Sequence, residues 1–141
     1  MATNFNIALP FSMSAGQHPA RLALWADGRE FTYDEMLTLV RRTASWLGCR
    51  TAGGPRYVGI LATRSWQACV GILGAAWAGA TYMPLNMSQP PQALAQLLKQ
   101  HKLDALITDP TGARKLTPEV LEVAPEKILV PGEALCNSHF R

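Results

Sequence analysis

Charge is scarce in this sequence, and cysteine scarcer still. Asp, Glu, Lys and Arg make up only 16% of the 141 residues, below the level of about 25% usual in globular proteins. The 13 basic and 10 acidic residues leave a net charge of +3 and are spread along the chain. No basic run or basic–aromatic stripe occurs, so nothing points to a nucleic-acid partner. Three cysteines, Cys49, Cys69 and Cys136, are an odd number without framework spacing, which excludes a disulfide scaffold and fits a reduced, cytoplasmic setting. No Lys or Arg precedes Arg21, so the expectation is a chain without the charged start of a signal peptide. Long apolar spans are missing too. The longest uncharged stretch opens at Ser65, and its part Ser65 to Gln89 is interrupted by Gly79 and Pro84 and does not read as a membrane segment. Internal repeats and low-complexity tracts are absent.

What is present is apolar. Hydrophobic residues account for 48% of the chain, enough for one domain with a real core and too much for disorder. With so little charge, some apolar surface is expected to be covered by something else. Along the chain, "RLALWADGREFTY" reads as a hairpin, with strands Arg21–Ala26 and Arg29–Phe31 joined at Asp27-Gly28, a pair that supplies the positive φ angles of a tight turn. Thr32 and Glu35 form a T-x-x-E capping box. Met36, Val40, Thr43 and Leu47 then mark one helical face, with Gly48 as the stop. "YVGILA" is an apolar run of the kind buried in parallel sheets. "SWQACVGILGAAWAG" is apolar nearly all round, which predicts a helix covered on more than one side. Its Gly71 and Gly74 cost helix propensity but permit a close backbone neighbour.

Gly79 ends that helix, and "TYMPL" reads as a strand with Pro84 at its end, where a missing donor costs least. "PPQALAQLLKQHK" is an amphipathic helix with Leu94, Leu97, Leu98 and His101 on one stripe. "DALITD" is a further strand. "TPEVLEV" opens on a Thr117 cap with Pro118 at the first helical position, and "KILVP" is the last strand. Cys69 reads as a small core residue, and Trp25, Trp46, Trp66 and Trp77 as core or interface. The sum is a hairpin followed by four helix–strand alternations. That order predicts a layered α/β fold with a mainly parallel sheet flanked by helices and preceded by a β-hairpin.

Two motifs within this pattern resemble those of a known family. "FTYDEM" (Phe31–Met36) is similar to the first core motif of adenylate-forming (AMP-binding) ligases, and "AAWAGATYMPLN" (Ala75–Asn86) to the second. That superfamily includes nonribosomal peptide synthetase adenylation domains, acyl-CoA synthetases and D-alanine–carrier ligases. The resemblance runs from about His18 to Asp109. Its order and separation of motifs carry it, since each motif is mostly structural. It implies the N-terminal subdomain, flavodoxin-like or Rossmann-like, over residues 1–131, with 132–141 an irregular tail. Two positions depart from the amino-acid-activating members: Asn86 stands where Asp is frequent, and Ala93 where Arg is common.

The resemblance also implies what the complete ligase would use: ATP, Mg²⁺ and a pantetheine thiol acceptor. The family's Ser/Thr/Gly-rich phosphate loop with its Lys, its ribose-binding Asp and its C-terminal catalytic Lys all come later than the matched region. No loop of that kind occurs here, so no catalytic residue is assigned and the chain alone is expected not to adenylate. The candidates for binding are Arg64 and Ser65, which with Thr63 follow a strand and open a helix. Such a place attracts anions, while a plain helix cap beside a solvated Arg is the alternative. "AGGP" (Ala52–Pro55) precedes a strand and reads as a turn rather than a dinucleotide fingerprint. Cys136 and His139 have a C-x-x-H spacing without a second ligand pair, so no metal site is assigned. His18, His101 and His139 are scattered, and Glu119 and Glu122 share a solvated helix face.

Two functions of different class follow. One is the N-terminal portion of a carboxylate-activating ligase, whose partner is the remainder of the adenylation domain in cis or in trans. The other is a free-standing, non-catalytic interaction module that docks on a synthetase or self-associates. An unrelated flavodoxin-like nucleotide-binding domain is disfavoured by the missing phosphate loop. Neither remaining function calls for nucleic acid or membrane.

Overall fold

A computed structural model describes residues 6–49 and 56–132. Its first element is one that the sequence pattern did not announce, a helix α1 over Ala8–Gln17. No acidic residue opens it and no basic residue closes it. Instead, the Asn6 carboxamide oxygen accepts from the Ala8 amide, and its nitrogen donates to the Ala76 carbonyl at 2.8 Å. Tertiary contact therefore replaces the usual local signals.

The hairpin follows as β1 (Leu22–Ala26) and β2 (Arg29–Thr32), antiparallel and forming their own two-stranded sheet. Asp27 and Gly28 have φ of 54° and 72°, as a tight hairpin turn requires. Helix α2 (Tyr33–Cys49) starts at the expected reciprocal box: the Glu35 amide donates to Thr32 Oγ1 and the Thr32 amide to the Glu35 carboxylate. Its face of Met36, Val40, Thr43 and Leu47 is buried throughout. The helix runs one residue beyond Gly48.

The main sheet contains β3 (Tyr57–Leu61), β4 (Thr81–Pro84), β5 (Ala105–Thr108) and β6 (Lys127–Leu129), all parallel, in the order β4-β3-β5-β6. Parallel pairing demands crossovers, supplied by α3 (Trp66–Trp77), α4 (Pro91–Gln100) and the short pair α5 (Pro110–Ala113) and α6 (Pro118–Val123). Strand period two assigns the faces. Leu61, Leu106 and Ile128 meet Leu94 and Leu98 of α4 and Val120 of α6 on one side. Val58, Ile60, Ala105 and Ile107 meet Leu47 of α2 and Ala75 of α3 on the other. A third apolar cluster, Phe31, Met36 and Val70, seats the hairpin on α2 and α3.

Helix α3 is covered on two sides, as its composition predicts. A Cβ on Gly71 would lie 2.7 Å from Ile107 of the sheet, and one on Gly74 would lie 2.7 Å from Thr43 of α2. Its end answers to Gly79, at φ 80°. The Ala80 amide reaches back to the Ala75 carbonyl at 2.9 Å and the Gly79 amide to Ala76 at 3.0 Å, the paired closure of a Schellman motif. The chain then enters β4 within two residues.

One expected core position is corrected. His101 does not continue the α4 stripe: it caps the helix with φ −113° and ψ 118° and is exposed. Leaving helical geometry turns its side chain away from the face that Leu94 and Leu98 bury. The Ala52–Pro55 turn, Cys136, His139 and residues 133–141 of the expected tail lie outside the described residues.

Candidate functional site

The carboxyl ends of β3 and β5 bring Thr63 against Asp109, with Arg64 and Ser65 next in the chain. In a parallel sheet this edge is where loops and helix starts converge. Asp109 follows β5 directly and is only 1% exposed. The Thr63 amide donates to its Oδ2 at 2.8 Å, and the Thr63 hydroxyl to the same oxygen at 2.6 Å. The Gly112 amide donates to Oδ1 at 2.6 Å, which makes Asp109 the cap of α5. Burial pushes the Asp109 pKa up. Bonds from the Thr63 hydroxyl, the Gly112 and Thr63 amides and the Ser65 hydroxyl outweigh it, and the carboxyl ionises below the usual aspartate range.

The two candidate anion contacts part company here. Ser65 is buried and caps α3, its Oγ accepting from the Ala68 amide at 3.3 Å. Arg64 is exposed on the outer side of the same loop. Asp109 binds the loop at Thr63, two residues before that cap. Behind it the edge is tight: a Cβ on Gly112 would overlap the Leu61 carbonyl oxygen and Thr108 Oγ1. Thr108 Oγ1 also donates to the Leu61 carbonyl at 2.7 Å.

Sequence reasoning missed Asp109 and Gly112. The signal was there in "DPTG", an Asp cap followed by Pro at the first helical position. Lys127 was missed as well. Buried on β6, it sends Nζ to the Leu47 carbonyl near the end of α2 at 3.0 Å and lies 5.4 Å from the Trp46 ring centre. A cation at that helix end complements the dipole.

The other singled-out residues do not join the site. Cys69 is half-buried against the hairpin cluster, and burial pushes its thiol up, away from a nucleophile's range. Glu119 and Glu122 are exposed and line an open groove of about 680 Å³ with Lys99 of α4. Asn86 closes a turn by accepting from the Ser88 amide at 2.8 Å, and Ala93 is exposed on α4. Trp66 packs on Phe31 under the Arg29 guanidinium, while Trp25 is 65% exposed. Among the described residues, no three His, Cys, Asp or Glu side chains are placed to hold a metal, and no helix is long and apolar enough to cross a membrane.

Comparison with known proteins agrees with this architecture. The family model described as AMP-binding enzyme matches residues 11–137. PF 1022-synthetase of Rosellinia sp. is 33% identical over 113 residues, 78% of this chain and 3% of its own length. Nonribosomal peptide synthetase ecdA of Aspergillus rugulosus is 32% identical over 104 residues, 74% of this chain and 1% of its own. The nonribosomal peptide synthetase FmoA3, solved with alpha-methyl-L-serine-AMP bound, superposes with a TM-score of 0.77 at 23% identity, over 89% of this chain and 14% of that one. This chain therefore spans a small part of the relatives that it matches. Motifs, sheet order and family match converge: the chain belongs to the AMP-binding enzyme family, the adenylate-forming ligases, and carries the fold of their N-terminal subdomain.

Proposed function

We propose that this chain serves as the N-terminal portion of an ATP-dependent, carboxylate-activating ligase. Such an enzyme joins a carboxylate to AMP with Mg²⁺, releases pyrophosphate and passes the acyl group to a pantetheine thiol. The observation that carries this reading is the family match over residues 11–137 on a subdomain of the matching fold. The chain supplies scaffold rather than chemistry. Asp109, the one carboxylate among the described residues held below the usual range, is spent on Thr63 and Gly112, and no phosphate loop with its Lys occurs in the sequence. The cytoplasm, where ATP and reduced thiols are found, is its place of work.

Its partner is the remainder of an adenylation domain. Exposed apolar residues support this: Leu9 and Met13, one turn apart on α1, and Leu22 and Trp25 on β1 are all more than half exposed. Large apolar side chains left in water mark surfaces that another body covers. The same residues favour a second reading, a free-standing module that docks on a synthetase or on a second copy of itself.

An antibody to the chain separates the two. A native band several-fold larger than 15.3 kDa places the chain within a whole ligase, and a band of that size favours the module. Mixing the chain with an adenylation domain lacking its first segment, then assaying carboxylate-dependent exchange of labelled pyrophosphate into ATP, tests the ligase reading in trans. Restored exchange that Trp25→Ser diminishes supports it. No binding and no exchange refutes the split arrangement.

A further inference from the structure

The hairpin is a sheet of two strands, and among the described residues β1 pairs with β2 alone. Ala26 and Arg29 flank its tight turn and face each other, as do Leu24 and Phe31, so both pairs exchange their hydrogen bonds across the hairpin. A planar peptide points its C=O and N–H opposite ways, which turns the Trp25 N–H and C=O off the other edge of β1. At the start of the strand the Arg21 carbonyl accepts from the Tyr33 amide at 3.0 Å, which turns the Leu22 N–H off that same edge. A bulge lies between them. It sends Ala23 and Leu24 together onto the cluster of Phe31, Met36 and Val70 and leaves Leu22 and Trp25 on the outer face, 55% and 65% exposed. β1 holds neither charge nor proline to blunt this edge, whereas β4, an edge of the main sheet, ends in Pro84.

We propose that β1 pairs antiparallel with β1 of a second copy of this chain, about a two-fold axis beside the Ala23–Leu24 peptide. The edge is complementary to itself in that arrangement. Leu22 stands opposite Trp25 of the other copy and Trp25 opposite its Leu22, so the outward backbone groups meet and the exposed side chains cover each other reciprocally. Arg21, just before the strand, comes to the end where the other copy's Asp27 stands. Both are exposed, and the match of opposite charge occurs twice. Parallel pairing or a shifted register loses these matches. The product is a four-stranded sheet in the order β2-β1-β1-β2, where two strands alone are marginal. Two short strands fall below the about 1,200 Å² that stable interfaces bury, so the dimer is weak and forms at micromolar concentrations. This pairing gives the module reading above its contact, and its failure would leave the ligase reading standing, since the antibody decides that question separately.

Sedimentation equilibrium of the 141-residue chain from about 1 to about 300 µM covers that range, with Leu22→Pro, Trp25→Ser and Arg21→Glu alongside. The wild type is expected to rise from 15.3 kDa toward twice that mass and stop there, because a two-fold interface closes on itself. L22P removes an N–H that points away from β2, so the hairpin stays while the dimer is lost. W25S is expected to weaken the dimer by about tenfold or more, and R21E by less. Where circular dichroism shows a variant unfolded, NMR of the wild type decides: the Leu22 and Trp25 amides exchange more slowly as concentration rises, and those of α4 do not change. A wild type that stays at one copy, a mass that climbs past two, or variants that all associate as the wild type does would each overturn the proposal. So would L22P that dimerises normally beside a monomeric W25S, the behaviour of a sticky patch without strand pairing.

Discussion

Replacing Gly112 by Ala tests the tight edge of the sheet with a single methyl group. The added carbon would overlap the Leu61 carbonyl oxygen and Thr108 Oγ1 and lie 2.9 Å from the Leu61 carbonyl carbon. Two of these three atoms are backbone, which cannot swing aside as the end of a side chain can. Overpacking of this kind costs about 1–3 kcal/mol. Making room by moving α5 outward also stretches the Gly112 amide from the Asp109 carboxylate, now at 2.6 Å, and a bond to a charged group contributes about 1.5–3 kcal/mol. Against this stands the better helix propensity of Ala, about 1 kcal/mol. With both costs present the net loss is about 1.5–5 kcal/mol, a large share of the 5–15 kcal/mol typical of a domain. Gly16→Ala is the matched control, because nothing lies within 4 Å of a Cβ there. It should gain about 0.5–1 kcal/mol. Urea unfolding followed by tryptophan fluorescence reads both. A G112A midpoint more than about 1 M below wild type is expected from the usual slope, with G16A at or above wild type. A G112A midpoint equal to that of wild type would refute the argument.

Lys127→Met keeps the aliphatic stem but leaves the buried Leu47 carbonyl without its Nζ donor and Trp46 without its cation. A loss of about 2–3 kcal/mol in urea unfolding is expected, and a more stable variant would show that the apolar stem is what matters. Thr32→Ala removes the Oγ1 that receives the Glu35 amide and should cost about 1 kcal/mol, seen as a lower thermal midpoint. The folded Asp109 pKa lies below its unfolded value. Its contribution is therefore complete above the ordinary aspartate pKa and is lost as pH falls through the lower folded value. Urea midpoints should fall over that acid range, and less steeply in D109N; identical slopes would remove Asp109 as the cause.

Much of the fold was legible because local chemistry and burial point the same way. The Asp27-Gly28 turn, the Thr32–Glu35 box, the Gly79 closure and the Thr117 cap each satisfy their own backbone with residues a few positions apart. The all-round apolar α3 told correctly that it has two covered sides. Helix α1 was illegible for the opposite reason: its anchoring bond joins Asn6 to Ala76, seventy positions away. His101 was misplaced because periodicity extends a stripe one residue past the point where the backbone leaves the helix. At the edge of the sheet, Arg64 and Ser65 stood out by position. Asp109, which holds Thr63 just before them, was hidden in what read as the end of a strand.

Asp109 also shows why a helix start after a strand attracts attention without declaring a ligand. The start of α3 offers amide donors and a positive dipole end, which any anion relieves. A phosphate can supply that anion, and so can a carboxylate of the chain. Sequence position is the same in both cases. What separates them is where the carboxylate of the next strand goes. Here β5 runs parallel to β3 and ends level with it, so a residue just past β5 arrives beside the loop just past β3. An acid at that position, 1% exposed, holds the Thr63 amide and hydroxyl two residues before the Ser65 cap of α3. Arg64, beside it in the loop, is exposed.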